Sequence, residues 1–419
     1  MGESTVTTAK KRIDTIDVLR GFALAGILYA HMVIWYTGAA LPPEVYTSYD
    51  STADGIAMGI FGALVFGKFF SVFSFLFGLS FYLHFKKNKS RKSHLPRYVW
   101  RLSLLLLIGV VHHILWRGDI LAIYAVLGMV LLLFRHLPPK TILVMGVFLI
   151  LNIPTHVYDL FGEGNPDISV NFPMEEEANR YYELVQNEGF ITVLKDNWYS
   201  WPSKIAYQLE SGRLLMTFGY FLLGFYAGCT NLFTSIRKNL GKFTLWNQML
   251  ERVILVLLLV GIFMYLFDLV TIPEIKVIPE LKWLASFLFD IYNACLSIFY
   301  ITGVTILFRN SFFRSILQPL GTMGRMALTN YLLQTFFGLL LFYHFGLGLF
   351  DKTSPAINVV LGAGVFYFQL KFSQWWLKRY KQGPVEWLWK GLTNLEFTSL
   401  KKQGTISAPQ DVKSYSGSG

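Results

Sequence analysis

A succession of apolar runs about 20 residues long, each bounded by short polar or basic segments, limits what this chain can fold into. Coiled at about 1.5 Å per residue, such a run matches the hydrocarbon thickness of a bilayer. The strands of a membrane barrel would instead alternate in polarity over about 10 residues, so helical spans are expected. Ten runs can be placed, at about 17–36, 62–84, 98–116, 119–134, 141–158, 204–229, 249–270, 282–307, 324–345 and 355–377. Pro154 breaks the fifth, and an apolar stretch at 55–61 reads as an interfacial helix. The chain is 53% hydrophobic and 15% charged, with a mean hydropathy of +0.44, a combination that a soluble domain of this length would struggle to keep in solution. The expected fold class is an all-α polytopic membrane protein of about ten transmembrane helices.

Charges in the loops orient the spans. Lys10, Lys11 and Arg12 precede the first run, and KKNKSRKSHLPR (86–97) follows the second. Arg135 and Lys140, then Arg237, Lys238 and Lys242, then Arg309 and Arg314, and finally Lys378, Arg379 and Lys381 continue the series in every second loop. The alternate loops are acidic or poor in Lys and Arg, above all 159–203 with its EEE at 175–177. By the positive-inside rule both termini are cytoplasmic and the 159–203 loop is extracytoplasmic. The expected organisation is a cytoplasmic N-terminus (1–16), one transmembrane domain (17–393) and a polar cytoplasmic tail (394–419) whose SYSGSG has the look of an expression scar. No signal peptide is expected ahead of the first run.

This distribution assigns the net charge of +11 to topology and not to nucleic acid. Cys229 and Cys295 lie in apolar runs without CxxC or CxxH spacing, so neither a disulfide framework nor a metal is expected, only buried thiols. No period of 20–50 residues is visible, which gives a repeat-built transporter no support.

Charged and histidine side chains inside spans are costly, and each is a functional candidate. Helix rise and the orientation above divide them into two sets by depth. Arg20, Arg97, Arg101 and Arg325 fall on the inner side; His31, His112, His113, Arg117, Asp119, Lys68, Glu210, Arg213, Asp268, Asp290 and Asn293 fall in the outer third. Plainer roles stand beside these. Arg97 and Arg101 suit snorkelling anchors, Asp119 after Gly118 suits a helix cap, and His113 could face lipid headgroups. His112 shares a helical face with Trp116 and Asp119 if its helix continues that far. In IDVLRGFALAGILYAH, Asp17 and Arg20 can pair, and His31 lies on the same face as Arg20 about 16 Å further along. Gly21, Ala23, Ala25 and Gly26 would let another helix approach that span closely.

Four segments, RIDTIDVLRGFALAGIL, KFFSVFSFLFGLSF, IGVVH with GDILAIYAVLG, and GRMALTNYLLQ, together with the ending GPVEWLWKGLT, make the chain resemble the YeiB-like bacterial membrane proteins (domain of unknown function 418) over most of its length. That family is distantly similar to the transmembrane acyltransferases, which move an acyl group from cytoplasmic acyl-CoA to an acceptor at or beyond the far side of the membrane. Their O-acyltransferase branch is marked by an arginine and a histidine with ten residues between them in the first span, as Arg20 and His31 are here. An asparagine is commoner at the latter place in YeiB-like proteins, so the resemblance leaves the base open between His31 and His112.

The resemblance implies a bacterial inner-membrane protein that uses acetyl-CoA or another acyl-CoA as donor and a small molecule or glycan as acceptor, without metal or nucleic acid; it leaves homodimerisation open. The arginine set would hold the donor phosphates, and His112 or His31 would take the acceptor's proton, with Asp119 the better placed to orient an imidazole and His113 in reserve. Lys68, Arg117 or Asn330 would meet a developing oxyanion by residue type. Asp17, Arg213 and Asp290 complete the polar core. Two rival classes are a proton-coupled transporter or flippase, whose His and Asp would relay protons, and a scaffold whose acidic loop with Trp198, Tyr199 and Trp201 binds a partner. GRMALTNYLLQ carries no evident chemistry, and Arg325, Asn330 and Gln334 could simply bridge helices.

Overall fold

A computed structural model describes residues 14–39, 41–42, 44–45, 51–88, 94–161, 174–266, 270–271, 276–277 and 282–402. Asp268, the first thirteen residues, residues 162–173 of the long loop and the end of the tail lie outside the described residues.

The described chain is almost wholly helical. Its first half contains α1 (Asp14–Met32), α2 (Thr52–Ile60), α3 (Phe69–Asn88), α4 (His94–Leu115), α5 (Leu121–Leu131), α6 (Pro139–Ile150), α7 (Ile153–Phe161), α8 (Met174–Asn187) and α9 (Phe190–Tyr199). The second half contains α10 (Trp201–Glu210), α11 (Arg213–Cys229), α12 (Ile236–Leu266), α13 (Lys282–Leu307), α14 (Ser311–Arg325), α15 (Ala327–Phe342), α16 (Pro355–Arg379) and α17 (Pro384–Asn394). A two-residue antiparallel pairing, β1 (Val270–Thr271) with β2 (Lys276–Val277), follows α12.

Five stretches are long and apolar enough to cross a membrane: Thr52–Lys86, Leu95–Leu115, Ile236–Met264, Trp283–Leu307 and Pro355–Arg379. Four shorter apolar helices accompany them. The pattern of burial agrees. On α12, Leu255, Val256, Leu259, Ile262 and Phe263 are all more than half exposed, whereas Asn293, Ser297, Thr305, Asn330, Gln334 and Gln369 are buried. Apolar outside and polar inside is stable only where lipid replaces water.

The sequence-based boundaries need three corrections. Asn152, at φ 53, ends the helix before Pro154, and the proline sits harmlessly in the first turn of α7. The sixth run is broken at Ser211 and Gly212, so the apolar helix proper starts at Arg213. The stretch before the second run continues through a π turn at Phe61–Val65 instead of lying apart.

Packing is closest where small residues meet backbone. A Cβ on Gly21 of α1 would come within 2.0 Å of the Leu320 carbonyl oxygen, and one on Gly324 of α14 within 1.8 Å of that of Asp17. The small residues of the first span thus do admit a neighbour, and it is α14. Cys229 and Cys295 are free thiols, half-buried instead of fully enclosed.

An elbow at Met326 joins α14 to α15. Asn330 Nδ2 donates to the carbonyls of Met323 and Met326 at 3.2 and 3.1 Å, and to Ser373 Oγ at 2.9 Å. On the other side, the Glu386 carboxylate of α17 accepts from the Leu328 and Thr329 N–H groups at 2.7 and 3.0 Å and from the Thr329 hydroxyl. Burial pushes the Glu386 carboxyl up, and the Thr329 and Leu328 donors pull it back. GRMALTN and GPVEW are therefore two halves of one joint, in which a side chain caps the freed start of α15. Glu386→Ala is expected to lower stability by about 2 kcal/mol, since it strands helix-start donors; a melt in detergent against wild type measures it.

Candidate functional site

Arginine cannot lose its charge, so where several are enclosed together an anion is the natural counterpart. Arg20, Arg97, Arg101 and Arg325, drawn from α1, α4 and α14, all line one cavity of about 600 Å³. His84, Lys390, Tyr98 and Trp389 line it as well, and among the described residues Glu386 is the one carboxylate in its wall. That carboxylate is committed to the elbow. Arg20 is held by Asp17 Oδ1 at 2.9 Å and Ser80 Oγ at 2.6 Å. Arg101 stacks on the Trp389 indole with its guanidinium carbon 4.2 Å from the ring centre, and lies within electrostatic reach of Arg20. The exposed side chains of Arg97 and Lys390 mark the open end; Leu121, Tyr124 and Tyr331 mark the deep end.

Beyond the deep end lies a buried polar chain. His112 sits eleven residues, about 16 Å, along α4 from Arg101. Its Nδ1 is 2.8 Å from Asp119 Oδ1 and its Nε2 is 2.8 Å from Thr335 Oγ1. A carboxylate only accepts, so the proton belongs on Nδ1 and Nε2 is left as a base that accepts from Thr335. Thr335 Oγ1 in turn lies 3.2 Å from Tyr36 Oη. The Tyr331 ring stands 5.0 Å from the His112 ring, a single layer between cavity and imidazole.

Local sequence explains the placement. Helix α4 stops at Leu115 instead of continuing, and the WRG turn reverses the chain so that Asp119 swings back onto His112. The shared helical face expected from spacing is replaced by this reversal. Asp119 also caps α5, accepting from Leu121 and Ala122 N–H at 3.0 Å each. After α1, Trp35 and Tyr36 both adopt left-handed backbone (φ 51 and 54), which is unusual for aromatic residues and which directs the Tyr36 ring against Trp116. Gly338 leaves the room: a Cβ there would meet the Tyr36 ring at 2.2 Å.

Lys204 of α10 was not anticipated as a site residue. Its ammonium donates to the Asp119 carbonyl at 2.6 Å and lies 4.0 Å from Asp119 Oδ2. Burial pushes it down to about 8, with Asp119 opposing that shift.

The remaining candidates separate. His31 packs edge-on to Trp116 at 4.7 Å, and its Nδ1 finds no hydrogen-bond partner among the described residues. His113 does not face headgroups: it is buried over Trp201, with Nδ1 3.1 Å from Lys204 Nζ and Nε2 3.3 Å from Ser200 Oγ. The three guessed oxyanion donors are engaged elsewhere. Lys68 donates to the Gly62 carbonyl at 2.8 Å between Phe289 and Tyr292, Asn330 holds the elbow, and Arg117 ties the turn to α8 and α9 through Glu177, Asp196 and Asn197. Arg213 stacks on Phe70, within electrostatic reach of His31. Asp290 accepts from His156 Nε2 at 3.0 Å and Asn152 Nδ2 at 3.3 Å, a second, partly buried His–Asp pair in which depth reasoning had found Asp290 but not His156. Thr335, Tyr36, Tyr331 and Tyr124 went unnoticed too, because an uncharged hydroxyl in an apolar run carries no depth penalty to draw attention.

The described part of the long loop from Met174 folds as α8, α9 and the start of α10, a cap over the His112 end. Tyr181 Oη donates to the Thr37 carbonyl and meets Tyr343 Oη at 2.7 Å, and Asn197 Nδ2 donates to the Ile114 carbonyl at 3.0 Å.

Residues 236–396 match the family described as "Protein of unknown function (DUF418)". The chain is 30% identical to the Bacillus subtilis protein "Uncharacterized protein YxaH", over 96% of this chain and 98% of that one. It is 28% identical to the Escherichia coli "Uncharacterized protein YeiB", over 91% and 96%. A Bacillus acidopullulyticus protein, "Uncharacterized 39.9 kDa protein in amylase 3'region", is 26% identical over 94% and 97%. No solved structure matches the chain.

Proposed function

The chain belongs to the DUF418 family, and we propose that it works as a membrane-embedded acyltransferase, moving an acetyl group from cytoplasmic acetyl-CoA to a hydroxyl or amine of a small-molecule or glycan acceptor on the other side. One observation carries the reading: a single cavity brings four arginines to one end and stops at Tyr331, one ring away from His112. Its size lies within the range of small-molecule sites, and its charge suits the phosphates of coenzyme A. Arg20, Arg97, Arg101 and Arg325 hold the phosphates in this reading, while the pantetheine arm follows the apolar wall of α3 and α4 toward Tyr124. His112, fixed in its tautomer by Asp119, takes the acceptor's proton at Nε2. His31 is the less favoured base, since no carboxylate among the described residues orients it.

The proposal includes ten crossings, α1, α3, α4, α5, α6, α11, α12, α13, α15 and α16, with both termini and the arginine cavity on the cytoplasmic side of a bacterial inner membrane. The cap α8–α10 is then extracytoplasmic. The basic alternate loops support this orientation.

The test is ligand-induced thermal shift of purified protein in detergent. Acetyl-CoA at a hundred times its dissociation constant should stabilise wild type by about 2.7 kcal/mol, free CoA less and ATP least, with Arg20→Ala and Arg101→Ala reducing the shift. If no CoA species moves the melt, the donor is wrong. The His156–Asp290 pair would then favour proton-coupled transport, recognised by uptake or efflux without a covalent product.

A further inference from the structure

Resting on that reading, we propose that Thr335 is the nucleophile that carries the acyl group between donor and acceptor, so that transfer proceeds through a threonyl ester and not by direct attack. The arrangement of a nucleophile within 2.6–3.2 Å of a base that a third group orients is the structural signature of covalent catalysis. Here Thr335 Oγ1 lies 2.8 Å from His112 Nε2, and His112 Nδ1 lies 2.8 Å from Asp119 Oδ1. Asp119 is itself held by two backbone N–H groups and by Lys204. Thr335 is 2% exposed and lies one turn of α15 beyond Tyr331, which lines the deep end of the cavity. The Tyr36 hydroxyl, 3.2 Å from Oγ1, is delivered by two consecutive residues in left-handed backbone and can donate to an oxyanion formed there. A hydroxyl placed only to bridge helices would not need a carboxylate-oriented imidazole on one side and a strained tyrosine on the other.

The position also suits a reaction whose two substrates arrive from opposite ends. In the first half-reaction Thr335 Oγ bonds to the thioester carbonyl carbon as its proton passes to His112 Nε2. The carbon–sulfur bond then breaks, and the CoA thiolate leaves with that proton as the free thiol. In the second, the acceptor's hydroxyl or amine gives its proton to His112 Nε2 and bonds to the ester carbonyl carbon. The carbon–Oγ bond breaks and Thr335 recovers the proton. Acyl-CoA and acceptor become CoA thiol and acylated acceptor, with no redox change. Donor and acceptor need never occupy the membrane interior together.

The experiment incubates the full chain in detergent with acetyl-CoA labelled in the acetyl group, without acceptor, followed by acid quench and peptide mapping. Expected is one label per chain on a peptide containing Thr335, matched by release of one CoA thiol. Thr335→Ala and Thr335→Val should lose the label, Thr335→Ser should keep it, and all three should retain stabilisation by acetyl-CoA. Transfer by Thr335→Ala should fall by about a thousandfold or more. Wild type that binds acetyl-CoA yet carries no label, a label on His112, or Thr335→Ala turning over at the wild-type rate would each overturn the ester while leaving the acyltransferase reading intact. Wild type that does not bind acetyl-CoA would sink both.

Discussion

His112→Gln is expected to lower acetyl transfer by about a thousandfold or more while leaving the acetyl-CoA thermal shift close to that of wild type. Glutamine keeps a polar group between Asp119 and Thr335 but has no nitrogen that can accept and return a proton. The cavity walls that would hold the donor come from Arg20, Arg97, Arg101 and Arg325, so binding and chemistry separate in this variant. Asp119→Asn is the companion. An amide can donate to Nδ1, which would turn the tautomer and place the proton on Nε2, where the base has to be. Its loss should be comparable, although Asp119 also caps α5 and the variant should melt earlier. His31→Ala should affect turnover less than either, since His31 packs against Trp116 and Tyr36 without a carboxylate partner. Rates measured by CoA thiol release decide it: full activity in His112→Gln with loss in His31→Ala would transfer the base to His31.

Gly324→Val is expected to be the most damaging structural change, costing about 3 kcal/mol or more and leaving little folded protein on extraction. A β-carbon there would stand 1.8 Å from the Asp17 carbonyl oxygen, and backbone cannot yield as a flexible side chain would. Separating α1 from α14 would also move Arg20 and Arg325, which enter the cavity from those two helices. Acetyl-CoA should therefore fail to rescue the variant. Gly241→Val is the control, because a β-carbon at Gly241 meets nothing within 4 Å, and it should fold like wild type apart from a small helix-propensity effect. Size-exclusion profiles in detergent measure both. A monodisperse Gly324→Val with normal acetyl-CoA stabilisation would show that the close approach of α1 and α14 is dispensable.

Much of the site could be read before any coordinates. The four arginines and the His112–Asp119 pair carry formal charge or titrate in or beside apolar runs, and lipid makes such residues conspicuous. Much of what resisted reading was uncharged or depended on where a helix stops, although Lys204 and the pairing of His156 with Asp290 escaped as well. Thr335 and Tyr36 are ordinary residues in apolar surroundings until the WRG turn and the left-handed pair at Trp35 and Tyr36 bring them to His112. The expected oxyanion donors failed for a related reason. Lys68, Arg117 and Asn330 have the right chemistry, but each satisfies a local backbone or loop partner instead.

Sequence alone therefore determined the all-helical class, the presence of helices apolar and long enough to cross a membrane, and the placing of charged and histidine side chains inside apolar runs. All of these follow from the cost of moving charge and unpaired backbone out of water, a property of residue type and spacing. Only tertiary structure decided that the four arginines share one cavity, that α14 approaches α1 through Gly21 and Gly324, and that the cavity ends at the Tyr331 ring facing His112. These depend on which helices touch, and in lipid that choice rests on shape complementarity and on scattered polar bridges such as Asn330 and Glu386. Apolar patterning is nearly uniform around each span and cannot encode it.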